Sequence, residues 1–182
     1  GSNLYAGSEG EGVFLSVNNG ASWSALAPLT NQFVFALAVS GSDLYAGVDG
    51  GGVFRSTNNG ASWTNSTSGM TNTRVSSLVV SGTNLFAGTF GGAGVYLSTN
   101  NGTSWVVAGN GLTNTEVQTL NITPSLPGYM FAGTANGAFY TTNNGTSWNA
   151  INNGLTDTYV HSFAFSGRTI FAGTDFEGVF RS

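Results

Sequence analysis

Seven of the eight carboxylates in this chain fall in two kinds of short segment that vary from one part of the sequence to the next. Glu9, Glu11, Asp49, Asp175 and Glu177 stand in segments that follow a repeated Ala-Gly. Glu116 and Asp157 stand just ahead of runs rich in β-branched and aromatic residues. The same two kinds of segment hold the aromatics Phe33, Phe90, Tyr159 and Phe176, the cation Arg74 and the single histidine, His161. Three chemistries are open to such a set. Two carboxylates about 5–10 Å apart across a cleft can hydrolyse a glycosidic bond, provided one sits where burial raises its pKa. Carboxylates in Gly-rich loops can bind calcium. Acidic and aromatic side chains on a rigid rim can recognise a glycan or a protein segment.

The first two chemistries find little support in the spacing. Asp49 with Asp175, or Glu9 with Glu177, are pairs that could converge, but nothing in the sequence brings them together. The acidic segments match neither the EF-hand pattern nor the Gly-Gly-x-Gly-x-Asp calcium repeat. One histidine without partner spacing is not a metal site, and there is no cysteine to add a thiolate. The expectation is therefore no catalytic residue, no metal and no cofactor. A binding face is expected at Glu9, Glu11, Asp49, Phe90, Asp175, Phe176, Glu177, Arg74, Glu116, Tyr159 and His161, for a protein or glycan partner.

The rest of the composition limits the partners. Charged residues make up 7% of the 182, against roughly 25% in an average soluble protein. There is no lysine, the four cations are Arg55, Arg74, Arg168 and Arg181, and the net charge is −4. Without a basic cluster, nucleic acid is excluded as a partner. No apolar run approaches the length of a membrane span, and no signal peptide is present. Zero cysteines leave the redox compartment open. Arg55 and Arg181 occupy one position of the repeat and read as solvated. The sequons at Asn65, Asn101, Asn121 and Asn144 are expected by chance in a chain this rich in Asn, Ser and Thr.

The elements that must position the candidate residues are written as a repeat. Gly1-Ser-Asn-Leu-Tyr-Ala-Gly7 returns as Gly41-Ser-Asp-Leu-Tyr-Ala-Gly47, Gly82-Thr-Asn-Leu-Phe-Ala-Gly88, Gly128-Tyr-Met-Phe-Ala-Gly133 and Gly167-Arg-Thr-Ile-Phe-Ala-Gly173. The periods are 40, 41, 46 and 39 residues, and Pro124-Ser-Leu-Pro127 accounts for the long one. Periods near 40 with short strand-like runs broken by Gly, Asn and Ser point to radially repeated four-stranded units. The spacing predicts a first strand at Val75–Ser81 and its copies at 33–40, 117–123 and 160–166. The second is the Leu-Tyr-Ala-Gly segment, the third Gly52–Ser56, and the fourth begins at a tryptophan. No helical period persists. A parallel β-helix has shorter coils and needs no tryptophan-capped hairpin. The Gly-His and Trp-Asp signatures of WD40 blades are missing, and kelch repeats are usually longer.

Between the third and fourth strands lies an octet repeated four times: Ser16 to Trp23, Ser56 to Trp63, Ser98 to Trp105 and Thr141 to Trp148. Each reads hydroxyl, any residue, Asn, Asn, Gly, small, Ser, Trp. Asn-Gly between apolar runs is the strongest short hairpin signal. The first Asn (Asn18, Asn58, Asn100, Asn143) can fold its side-chain oxygen onto backbone N–H groups. Gly20, Gly60, Gly102 and Gly145 are expected at positive φ. Trp23, Trp63, Trp105 and Trp148 are expected to be buried between neighbouring units.

The octet resembles the Asp-box, or BNR repeat, with its pattern Ser-x-Asp-x-Gly-x-x-Trp and Asn in place of Asp in all four copies. The resemblance covers the whole chain as a repeat, is closest in style to bacterial secreted propellers like photosystem assembly factors and sialidases, and implies a β-propeller. It implies that the variable segments after the Ala-Gly strands and before the first strands share one face, where ligands bind, with the octet turns on the opposite side. It also names what a sialidase site requires: three convergent arginines, a Tyr–Glu pair and an Asp acid. Only Arg74 is expected on the ligand face, and no Arg-Ile-Pro or Arg-Leu-Pro segment is present.

The reading is thus an all-β single domain over 1–182, a β-propeller of four-stranded antiparallel blades, with repeats starting near 1, 41, 82, 128 and 167. Four of these repeats are full and the fifth is partial. Its function is read as non-catalytic binding or structure, in adhesion or assembly at a bacterial cell surface or outside the cell. The alternative is a carbohydrate-binding or hydrolase propeller of which this is a part. Because 1–16 and 167–182 repeat the same hairpin, the segment is expected to be an excerpt of a longer array. The alternative is self-association through its terminal strands.

Overall fold

The computed structural model describes residues 3–26, 29–30 and 32–182; residues 1 and 2 of the first repeat lie outside them. Among the described residues, eighteen strands form five antiparallel sheets, each built from consecutive strands. The first sheet holds β1 (Leu4–Ser8), β2 (Gly12–Ser16) and β3 (Ser24–Leu26). The second holds β4 (Val34–Ser40), β5 (Asp43–Val48), β6 (Gly52–Ser56) and β7 (Thr64–Asn65). The third holds β8 (Val75–Ser81), β9 (Asn84–Thr89), β10 (Val95–Ser98) and β11 (Val106–Val107). The fourth holds β12 (Val117–Ile122), β13 (Met130–Thr134), β14 (Gly137–Thr141) and β15 (Asn149–Ala150). The fifth holds β16 (Val160–Ser166), β17 (Thr169–Thr174) and β18 (Val179–Arg181). These are the blades of a β-propeller. The long strands β4, β8, β12 and β16 lie against one another from sheet to sheet.

The octets form the hairpins expected of them, by one mechanism used four times. In the second blade the Ser56 hydroxyl donates to Asn58 Oδ1 (3.0 Å) and accepts from the Gly60 N–H (2.8 Å). Asn58 Oδ1 also accepts from the Ser62 N–H (2.8 Å), and its amide donates to the Ser62 hydroxyl (2.8 Å). Gly60 lies at φ 85° and Asn59 at 57°, the left-handed region that Gly and Asn enter at least cost. A Cβ on Gly60 would also lie 2.4 Å from Leu26 Cδ1 of the first blade. The amide of Asn58 fills a role that the carboxylate of an Asp would fill by accepting from the Ser62 hydroxyl.

The core lies between blades rather than within them. Tyr45 and Val53 of the second blade pack against Leu85, Ala87, Tyr96 and Trp105 of the third. Phe86 and Val95 of the third pack against Ala132, Phe139 and Trp148 of the fourth. Such alternation follows from the period-two side-chain geometry of a strand buried on both faces. It also explains the Ala-Gly of the second strand. A Cβ on Gly47 would stand 2.6 Å from Val75 Cγ1, the first residue of the next blade's inner strand. Glycine here lets two sheets approach.

Two expectations change. Trp105 and Trp148 are 2% and 4% exposed, but Trp63 is half-buried and Trp23 is 45% exposed. Each octet tryptophan packs on the preceding blade, and no described sheet precedes the first. The fourth strands begin one residue after the tryptophan and are only two or three residues long. The Trp backbone is drawn off to the previous blade: the Trp105 N–H donates to Ser68 O (2.8 Å) and the Trp148 N–H to Asn110 O (2.9 Å).

Candidate functional site

Every inner strand present carries the same irregularity. The pairing shifts between Val34 and Ala36, Val75 and Ser77, Val117 and Thr119, and Val160 and Ser162. The extra residues are Phe35, Ser76, Gln118 and His161. A bulge frees one residue from the ladder and re-aims its side chain, and bulges concentrate next to functional sites. Four unlike side chains stand at these positions, while the valine before each is buried in every copy. Gln118 Nε2 is buried and has no hydrogen-bond partner among the described residues, whereas the Ser76 hydroxyl donates to Val117 O (2.6 Å).

The variable loops are bonded to the starts of the inner strands, which places both on one rim. Within a blade the N–H groups of Asp49, Phe90 and Asp175 donate to the carbonyls of Phe33, Arg74 and Tyr159. Between blades, Glu9 pairs with Phe33 and Phe90 pairs with Glu116. The candidates thus fall in three hydrogen-bonded groups along the rim: Glu9 and Asp49 through Phe33, Arg74 and Glu116 through Phe90, and Tyr159 with Asp175.

Two clusters stand on this rim. In the first, Arg74 Nε donates to Asp49 Oδ1 (2.9 Å), and its guanidinium lies 5.4 Å over the Phe90 ring, a cation–π distance. Phe35 meets Phe90 edge-on at 6.0 Å. In the second, His161 Nε2 lies 3.2 Å from Asp175 Oδ1, and the Tyr159 ring is 4.8 Å from the imidazole. Burial raises the Tyr159 pKa, and the negative charges of Glu116 and Asp175 add to it. The Glu177 carboxylate accepts from the Thr156 hydroxyl. Glu11 is exposed and Phe176 is 82% exposed, and neither joins a cluster.

Asp157 is a structural clamp. Its Oδ2 accepts from the N–H groups of Phe176 (2.6 Å) and Glu177 (3.0 Å), and its Oδ1 from that of Tyr159 (3.1 Å). Burial works to raise its pKa. The N–H donors and the Thr174 hydroxyl more than offset this and bring it to about 2. Asn114 and Asn72 hold the same place one and two blades earlier, where each accepts from the N–H two residues on.

Arg55 also departs from expectation. It is not solvated but bound to Asp43, through Nε at 2.9 Å and Nη2 at 2.5 Å, with 28% of its side chain exposed. Sequence reasoning missed Phe35 as a site residue, although its equivalence to His161 was the available signal. Among the described residues no group of three or more His, Asp or Glu side chains is placed to hold a metal. Among the described residues no helix is long and apolar enough to cross a membrane.

Fold and rim together define a β-propeller with a variable loop face, and solved structures of that architecture resemble it. The chain is similar to YCF48 bound to D1 peptide, at 14% identity over 99% of this chain and 61% of that one, with a TM-score of 0.73. It resembles the extracellular domain of the putative one component system BT4673 from B. thetaiotaomicron, at 18% identity over 99% of this chain and 25% of that one (TM-score 0.77). It also resembles the Niastella koreensis GH74 enzyme, at 21% identity over 99% of this chain and 28% of that one (TM-score 0.70). The chain thus spans less than two thirds of the length of each. No protein-family model matches the sequence, and no curated protein matches it.

Proposed function

We propose that the chain is a non-catalytic binding module whose variable rim takes an extended segment of a protein or a glycan, and that it works outside a bacterial cell. One observation carries this reading: two unlike bulge side chains, Phe35 and His161, stand in the Arg74–Phe90–Phe35 and Tyr159–His161–Asp175 clusters of the rim. Aromatic faces beside carboxylates suit sugar rings and peptide side chains alike. Peptide binding by YCF48 and the extracellular setting of BT4673 support the class of partner and the location by likeness of fold alone. In this reading the octets are Asp-boxes with Asn for Asp, serving as turns.

A carbohydrate-processing role is the second reading. It rests on the His161–Asp175–Tyr159 cluster with Glu116 nearby and on likeness to the GH74 enzyme. A binding screen of the chain against glycan and peptide arrays, repeated with Arg74→Ala and Tyr159→Ala, tests the proposal. Hits lost in both variants support it. Hits unaffected by either variant reject the rim as the site. Release of reducing sugar from a bound polysaccharide favours the second reading.

A further inference from the structure

Between the second and third blades, which are both four-stranded, lies an open groove of about 430 Å³. Arg55, Thr64, Ser66 and Ser68 of the second blade line it, with Thr103 of the third blade's octet across from them. Arg55 stands at the end of β6 that runs into the octet, whereas the rim loop holding Asp49 leads into the other end of that strand. The groove is therefore separate from the variable rim. Its volume falls within the roughly 300–1,000 Å³ of small-molecule sites.

The neighbouring interfaces show what is particular about this lining. Arg55 pairs with Thr64, as Leu15 pairs with Ser24 in the first blade and Leu97 with Val106 in the third. Two residues after Thr64, Ser66 stands where the first and third blades have Leu26 and Ala108. Leu26 packs against the core between the first and second blades, and Leu97 and Ala108 join the core between the third and fourth. Between the second and third blades the same positions are polar. The Ser66 hydroxyl donates to Gly102 O (2.5 Å), which ties the two blades together. Arg55 is fixed by Asp43 through Nε and Nη2, which uses two of the five N–H donors of a guanidinium. Three donors remain. Beside them stand the exposed hydroxyls of Ser68 and Thr103, and that of Thr64, which donates to Arg55 O (3.3 Å) and keeps its lone pairs.

From this geometry we infer that the groove between the second and third blades is a second binding site, for a neutral sugar unit. A sugar ring carries donors and acceptors together, as this lining does. Its oxygens accept from the remaining N–H groups of Arg55, and its hydroxyls exchange hydrogen bonds with Thr64, Ser68 and Thr103. Asp43 offsets the charge of Arg55 within their pair, so the groove offers hydrogen bonds without the net positive charge that favours an anion. An arginine already held in one orientation loses little freedom when a ligand arrives. This site is independent of the rim and of the function proposed for it.

The probes are maltose, cellobiose, lactose and N,N′-diacetylchitobiose, each titrated to about 10 mM into the isotopically labelled chain. At least one should shift the amide signals of Arg55, Ser66, Ser68 and Thr103 saturably. Arg55→Leu introduces the residue of the first and third blades, and Thr103→Val removes a hydroxyl from an exposed turn. Each should weaken that binding at least about tenfold with an unchanged circular dichroism spectrum. Arg74→Ala, on the rim, should leave it intact, which separates this site from the rim. The absence of saturable shifts with every sugar overturns the inference. So do shifts confined to the rim, or equal binding by the Thr103→Val chain. Sodium sulfate or sodium glucuronate shifting these signals more strongly than any of the sugars makes the groove an anion site and overturns it as well. Thr103 is exposed, so its variant decides the matter even if Arg55→Leu does not fold.

Discussion

The indole of Trp148 is tied by a 2.7 Å hydrogen bond to the carbonyl of Ala108, a residue of the preceding blade 40 positions earlier. Trp105 and Ser66 repeat the relationship one blade back, so these bonds join blade to blade as well as filling the space between them. Trp63 lacks such a bond: its indole nitrogen is buried with no partner among the described residues.

The four tryptophans should therefore differ in worth. Trp105→Ala and Trp148→Ala should each cost about 3–5 kcal/mol, as a large buried side chain and its hydrogen bond are lost. Trp63→Ala should cost less, and Trp23→Ala about 1 kcal/mol or less, in keeping with its exposure. Urea denaturation of the four variants gives the order. Equal losses at Trp23 and Trp148 would refute packing between blades as the cause.

The octet hydroxyl should matter more than the identity of the side chain that it meets. Ser56→Ala removes the acceptor for the buried Gly60 N–H and should cost about 1–3 kcal/mol. Asn58→Asp keeps the acceptor for the Ser62 N–H and Ser56 hydroxyl, and should change stability by less than about 1 kcal/mol at neutral pH. Thermal unfolding of the two variants side by side measures this, and a larger loss in Asn58→Asp would contradict the reading of the turn.

Acid should weaken the fifth blade through Asp157. Its folded pKa of about 2 lies below the ordinary value of about 3.9. The charged form thus contributes stability that is full above pH about 4 and lost as pH falls toward 2. Asp157→Asn should lower stability at pH 7 and flatten the dependence across that window. Denaturant midpoints at pH 2, 3, 4 and 6 test this, and parallel curves for the two proteins would count against the clamp.

Arg74 should be separable from folding. Its partner Asp49 is an exposed ion pair on a rim, and such pairs contribute about 0–1 kcal/mol. Arg74→Ala should leave the unfolding midpoint nearly unchanged while removing whatever the rim binds. A large loss of stability would make Arg74 a structural residue and take it out of the candidate site.

The repeat made much of this legible in advance. The octet turn is closed by hydrogen bonds among residues within four positions of one another, so its conformation is a local property of Ser, Asn and Gly. The alternating apolar runs set the strands, and their recurrence set the blades. The variability of Phe33, Arg74, Glu116 and Tyr159 against a constant frame marked the rim before any strand was placed.

Tertiary structure decided what one octet cannot know. Trp23 and Trp148 have nearly the same local sequence but opposite burial, because burial depends on the sheet in front of the tryptophan. Arg55 reads as solvated until β5 and β6 pair Tyr45 with Arg55, two residues along β5 from Asp43. The bulges that free Phe35 and His161 arise where an inner strand fits one more residue than its neighbour, a property of two strands together. The sequence by itself determined the turns, the strands and the blade period, since these rest on contacts between near neighbours. The burial of each tryptophan, the Asp157 clamp and the Arg55–Asp43 pair follow from which strands and sheets meet, and only the assembled propeller decides that.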